Sequence, residues 1–162
     1  MTNAEKTGAP SKRQMKSAAR LYAVQALFQM EAAGQTVDRV RAEFETHRFG
    51  ETLDKEDGGG EMMEGDVTLF RTLIEGAVNE QAKIDQMTDR ALVEKWPIAR
   101  IDPTLRALFR AAGAELGGAT PPKVVITEYV DVAKAFFPDG REPKFVNAVL
   151  DHMAREARPE AF

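Results

Sequence analysis

The stretch Thr120–Phe137, TPPKVVITEYVDVAKAFF, decides how this 162-residue chain folds. Its front is rich in β-branched residues and reads as a strand by composition. The apolar positions argue otherwise. Val125, Tyr129, Val130, Ala133, Phe136 and Phe137 recur at the three-and-four spacing of one helical face, and Pro121 after Thr120 suits a helix entry. The periodicity therefore predicts a helix. With this segment helical, no alternating run bounded by hairpin turns remains, and the sequence predicts an all-α bundle of about six or seven helices.

On the C-terminal side, a turn at Pro138, Asp139 and Gly140 leads into KFVNAVLDHMAREA (144–157). There Phe145, Val146, Val149, Leu150, Met153 and Ala157 form an inward stripe, and Asp151 pairs with Arg155 at i, i+4. On the N-terminal side, Asp102 followed by Pro103 starts a helix with Leu105, Leu108, Phe109, Ala112 and Leu116 inward, ended by Gly117 and Gly118. RALVEKWPIARIDP (90–103) reads as a short helix broken before Pro97. Before it, Asp66 is expected to cap one long helix carrying Val67, Phe70, Ile74, Ala77 and Ile84 on a single side.

The chain's first helix is predicted from Ser11 to Ala33, with Met15, Ala19, Tyr22, Ala23, Ala26, Leu27 and Met30 buried and Gly34 as its stop. Thr36 caps a second helix whose core positions are Val37, Val40 and Phe44. GETLDKEDGGGEMMEGD (50–66) has five glycines among clustered acids and reads as a surface loop.

The formal net charge of -4 hides an uneven distribution. Residues 1–20 carry Lys6, Lys12, Arg13, Lys16 and Arg20 against the single acid Glu5, whereas residues 38–66 hold ten acidic side chains against Arg39, Arg41, Arg48 and Lys55. Steps of four drift only ~40° around a helix. Lys12, Arg13, Lys16 and Arg20 therefore share one face, a basic stripe with no acid inside it. Such a stripe serves solubility on many helices, but against an acidic body it suits a partner that carries phosphates.

Enzyme signatures are missing from this pattern. With no cysteine in the chain, disulfides, thiol catalysis and cysteine-based metal sites are excluded. His47 and His152 lack the spacing of a paired metal motif, and GGG at 58–60 lacks the strand, the spaced glycine and the Lys-Ser/Thr of a phosphate loop. No catalytic residue, metal site or cofactor is expected. No apolar run of membrane-spanning length appears, nor a secretory signal at the start, so the expected setting is cytoplasmic, with no membrane association.

The last helix offers a second contact. Lys144, Phe145 and Asn147 stand at its start, where a base could stack on the ring while Lys144 reaches a phosphate and Asn147 offers a bidentate edge. Phe145 could equally join Val149 in the core, and Asn147 could cap the turn.

AARLYAVQALFQ (18–29), VVITEYVDVAKAFF (124–137) and KFVNAVLD (144–151), in this order and spacing, resemble the NusB family of bacterial transcription antitermination factors. The resemblance spans nearly the whole chain, and the C-terminal pair of motifs is its specific part. It implies an all-α fold of two helical subdomains and a non-enzymatic, RNA-binding role. In that role the protein pairs with NusE, a ribosomal small-subunit protein, and grips the boxA RNA of ribosomal RNA transcripts within the transcription elongation complex, so that polymerase reads through terminators. The 1–162 domain would then divide into a flexible lead (1–10), N-terminal helices with the RNA-facing stripe (11–49), an acidic Gly-rich loop (50–65) and a C-terminal helical subdomain (66–158).

By resemblance, Lys16 and Arg20 occupy two of the family's basic positions, Ser17 and Ala18 replace others, and Lys12 and Arg13 compensate. Phe145 with Lys144 falls on an RNA contact, and Asp139–Arg141 lie near another. Phe28 matches an aromatic contact for NusE, whereas Leu105 stands where an acidic contact is usual. Ala148 replaces a frequent Gly and Thr127 a frequent Asn. The cationic ridge of the first helix and the aromatic near the chain's end would together shape one groove for a flexible polyanion. Two other readings are a helical protein-protein adaptor with no direct RNA role, and a NusB-like accessory domain of an RNA-modifying system. Against the second, the chain's end at Phe162 leaves no expected room for a cofactor-binding domain. Whether the chain forms a homodimer is left open.

Overall fold

The computed structural model describes residues 11–50, 64–92 and 100–162. Among them it holds seven α-helices and no strand, as the periodicity predicts. The expected lead at 1–10, nearly all of the acidic loop and the break before Pro97 lie outside the described residues.

Local chemistry sets several helix ends. Helix α1 (Lys12–Ala33) begins with a capping box in which Ser11 Oγ accepts from the Gln14 N–H at 3.1 Å and Gln14 Oε1 accepts from the Ser11 N–H at 2.7 Å. It stops at Gly34, whose φ of 65° is open to a residue without Cβ. Helix α2 (Val37–Phe44) starts at Thr36, whose hydroxyl accepts from the Arg39 N–H at 3.2 Å. A wide π-helical turn (Glu45–Gly50) follows and carries Phe49 into the core. The Phe49 ring meets Tyr22 edge-on at 5.4 Å and Phe70 at 5.1 Å. The sequence reading missed Phe49, because the extra residue in the turn breaks the 3.6 period.

The single long helix expected after Asp66 is two helices. Helix α3 (Glu64–Asn79) begins before Asp66, which therefore lies inside it. It ends at Glu80, whose φ of -112° and ψ of 20° leave the helical range, and α4 (Gln81–Ala91) starts after it. Ile84 thus belongs to α4, where it packs over Gly113. A Cβ at position 113 would collide with Ile84 Cγ2, with Cγ1 only 3.3 Å away, so Gly113 is what allows α4 to approach.

Helix α5 (Pro103–Leu116) opens as predicted, with Asp102 Oδ1 accepting from the Thr104 N–H at 2.7 Å and Pro103 in the first turn. It is the centre of the bundle, packed by α1, α3, α4 and the last two helices. Leu108, Phe109, Ala111, Ala112 and Leu116 are fully buried on it, each large side chain contributing roughly 1.5–3 kcal/mol by leaving water. Helix α6 (Pro122–Phe136) confirms the deciding stretch: Val125, Tyr129 and Ala133 are sealed, while Val130 and Phe136 flank the core. Helix α7 (Glu142–Ala157) buries Val146, Val149, Leu150 and Met153 and holds the Asp151–Arg155 pair at 2.9 Å. Among the described residues, no helix is long and apolar enough to cross a membrane.

Candidate nucleic-acid interface

The first turns of α1 and α6 stand side by side and enclose a groove of about 820 Å³. Lys12, Arg13 and Lys16 form one wall, and Pro121, Lys123, Val124 and Thr127 form the other, with Ala119 and Thr120 closing the turn. Both helices present their N-termini here, so the positive ends of two backbone dipoles add to four exposed cations. Val124 is 43% exposed, which makes part of the wall apolar. Cations suit phosphates, and an apolar face between them suits the flat face of a base.

Arg20 departs from the exposed stripe expected of it. Only 5% of it is accessible, and it forms the floor of the groove rather than its rim. Its guanidinium makes a fork with Glu115 of α5, Nε to Oε1 at 2.9 Å and Nη2 to Oε2 at 2.6 Å, while Nη1 donates to Glu128 Oε1 of α6 at 3.0 Å. Tyr129 Oη donates to Glu115 Oε1 at 3.0 Å, and Ser17 Oγ lies 2.6 Å from Glu128 Oε1. The ~40° drift per four residues is the reason: each step from Lys12 to Lys16 to Arg20 turns the side chain further toward α5 and α6.

The electrostatics of this floor are those of a tightly satisfied cluster. Burial alone would lower the Arg20 pKa, but the hydrogen bond and charge of Glu115, with Tyr129 and Glu128, raise it. Burial alone would raise Glu115, yet the Arg20 hydrogen bond and charge hold its carboxyl below the usual range. Burial, then the Glu115 charge, pushes the Tyr129 phenol well up. One guanidinium thus serves two buried carboxylates, and α1, α5 and α6 are locked together beneath the groove.

The other sequence-predicted residues lie elsewhere. Lys144 and Asn147 are exposed on α7, and Phe145 is half-buried, its ring edge-on to Phe109 at 6.1 Å. No α7 residue lines the groove beside α1, so the single groove expected from the sequence is not formed. Phe109 and Glu115, which anchor Phe145 and Arg20 respectively, are six residues apart on α5, or about 9 Å along the axis and ~120° around it. Phe28 is 40% exposed on α1. One turn on, Glu31 pairs with Arg106 and Arg110 of α5. Leu105 is buried, a core residue where the resemblance expects an acid.

Lys123 and Val124 are groove residues the sequence reading did not select, since an isolated lysine after two prolines carries no pattern. Glu115 and Glu128 left a readable trace. Glu115 follows Leu108 and Ala112 in core register, as Glu128 follows Val125, and an acid in such a register calls for a buried cation.

Fold and groove define the class: a protein whose described residues form a helical bundle with a cationic cleft over a buried ion-pair cluster. The family model described as the NusB family matches residues 17–155, and the chain belongs to this family. It is 43% identical over 168 residues to a transcription antitermination protein NusB from Agrobacterium fabrum, with 99% of both proteins covered. Of solved structures, T. maritima NusB superposes with a TM-score of 0.70 at 28% identity, covering 91% of this chain and 96% of that one. A crystal structure of antitermination factors NusB and NusE in complex with dsRNA shares the fold at a TM-score of 0.68 and 23% identity, over 90% of this chain and 99% of that one.

Proposed function

We propose that the chain is an RNA-binding transcription antitermination factor that pairs with a NusE-type ribosomal protein and, with it, takes boxA-type RNA of ribosomal RNA transcripts into the α1–α6 groove for the elongation complex. The observation that carries this reading is the groove itself, with Lys12, Arg13, Lys16 and Lys123 around an apolar wall. Membership of the NusB family and the NusB–NusE–RNA complex among its structural neighbours support it. Exposed Phe28, set beside the Glu31–Arg106 pair, supports a protein partner on a separate face.

Four cations on a single strand make about four phosphate contacts, with a log–log salt slope near roughly -3, and so few contacts supply little electrostatic affinity to one chain at cellular salt. A partner that brings further RNA contacts raises effective concentration, so specificity for a whole boxA element would belong to the pair. The test is RNA affinity measured with and without NusE for the native protein, for K16E/K123E and for Phe28→Ala. The groove pair should weaken RNA binding and flatten the salt slope by about two phosphate contacts. Phe28→Ala should weaken capture of NusE alone. RNA affinity untouched by K16E/K123E at low salt would remove the groove from the mechanism.

A further inference from the structure

The cationic groove contains one group of the wrong sign for a phosphate. Glu128 lines it, and this carboxylate is held rather than free to swing away: Oε1 takes the Arg20 Nη1 bond at 3.0 Å and lies 2.6 Å from the Ser17 hydroxyl. The residue is only 7% exposed. Its other oxygen, Oε2, has no hydrogen-bond partner among the described residues. Because Glu128 lines the groove and Oε1 is taken, Oε2 is the acceptor this carboxylate has left for a ligand. A fixed acceptor thus opens onto a cleft whose other charged groups are all donors.

An ionised carboxylate accepts hydrogen bonds and donates none. It repels a phosphate, so whatever sits over Glu128 must present a hydrogen-bond donor. In a single RNA strand the donors are the 2′-hydroxyls, common to every nucleotide, and the N–H groups of the bases, which alone differ with sequence; a carboxylate accepting from cytosine N4 is an established pairing chemistry. Uracil meets the same oxygen with carbonyls on both sides of its one N–H. We infer that Glu128 is a base-selecting residue of the groove, accepting a hydrogen bond through Oε2 from a nucleobase amino group, with Arg20 and Ser17 as positioning residues that fix its angle. This inference rests on the RNA reading above. It adds a preference within the chain's own groove, distinct from any preference contributed by a partner.

The discriminating probes are oligocytidine and oligouridine of equal length, which differ at the amino-bearing edge, titrated against the full chain by fluorescence anisotropy at fixed salt. The native protein should prefer oligocytidine by on the order of tenfold, the worth of one hydrogen bond to a charged group. An oligomer of N4,N4-dimethylcytidine, which has no amino hydrogen, should lose that preference with no change to the protein. In Glu128→Gln the amide can keep its oxygen on Arg20 and turn its NH2 to the groove, so the preference should vanish or invert while affinity for both oligomers rises with the lost negative charge. Thermal unfolding checks that the variant folds, and the dimethylated probe decides the matter if it does not. K16E/K123E separates the two levels of the claim. Should it leave both oligomers bound as before, the groove reading and this inference fall together. Should it weaken both while the native protein shows no preference for cytidine, or Glu128→Gln keeps that preference, Glu128 is not the selector and the groove reading stands.

Discussion

Arg20 of α1 and Glu115 of α5, 95 residues apart in the chain, meet in a two-point fork of 2.6 and 2.9 Å in the buried floor of the groove. Removing the cation strands two buried carboxylates, so Arg20→Met should destabilise the protein by about 3–5 kcal/mol. Arg20→Lys should recover part of this, because an ammonium restores the charge without the planar fork. Urea unfolding of the two variants measures both effects. A loss below about 1 kcal/mol in Arg20→Met would mean that the cluster is neutralised some other way.

The same pair predicts a pH dependence. Arg20 holds the folded-state pKa of Glu115 below its ordinary value against the opposing effect of burial. A depressed carboxyl contributes stability that is fully present above its unfolded pKa, near ~4.3, and lost as the pH falls through the lowered folded value. Glu31, lowered chiefly by its hydrogen bond to Arg106, and Glu156, lowered chiefly by Arg90, add to the same acid limb. Unfolding free energy should therefore decline below about pH 4 and stay flat just above it. Glu115→Gln should make the decline shallower; an unaltered slope in that variant would place the acid sensitivity elsewhere.

At Gly113 two effects of opposite sign compete. In an open helix, Gly→Ala gains about 1 kcal/mol from backbone propensity. Here the added Cβ runs into Ile84 on α4, and overpacking of this kind costs typically 1–3 kcal/mol. Gly113→Ala should be net destabilising by thermal unfolding, and combined with Ile84→Ala, which removes both Cγ atoms, it should cost less than the sum of the two single substitutions. Additive effects in the double variant would show that the two positions do not press on each other.

Phe145 stands between two roles. Its edge-on contact with Phe109 is worth about 0.5–1.5 kcal/mol beyond the area it buries, whereas a base stacked on its open side adds about 1–3 kcal/mol to RNA binding. Phe145→Leu retains apolar bulk but offers no aromatic face. It should fold with a modest loss of stability and bind RNA more weakly if the ring stacks; unchanged RNA affinity would assign Phe145 to packing alone.

Features governed by near neighbours were legible in the sequence. Thr36 and Asp102 start the helices they precede, Gly34 stops α1, and the spacing of Val125, Tyr129 and Ala133 identifies α6, because caps and periods act within a few residues; Ser11, read as the first residue of α1, is its cap. The face of Arg20 was misread for the opposite reason: it depends on Glu115 and Glu128, which lie 95 and 108 positions away. The groove was half visible. A helical wheel finds Lys12, Arg13 and Lys16, but Lys123 joins them only once α6 is laid against α1. The split between α3 and α4 escaped because the break at Glu80 uses neither proline nor glycine.

The π-helical turn at Glu45–Gly50 limits how this segment can vary in length. Such a turn accommodates one residue more than an α-turn, and Phe49 reaches Tyr22 and Phe70 because of it. Excising any one residue between Glu45 and Arg48 would wind the coil back to ordinary pitch and swing Phe49 by about 100° toward water. Relatives of different length in this region are therefore expected to leave the residue count between Glu45 and Phe49 unchanged.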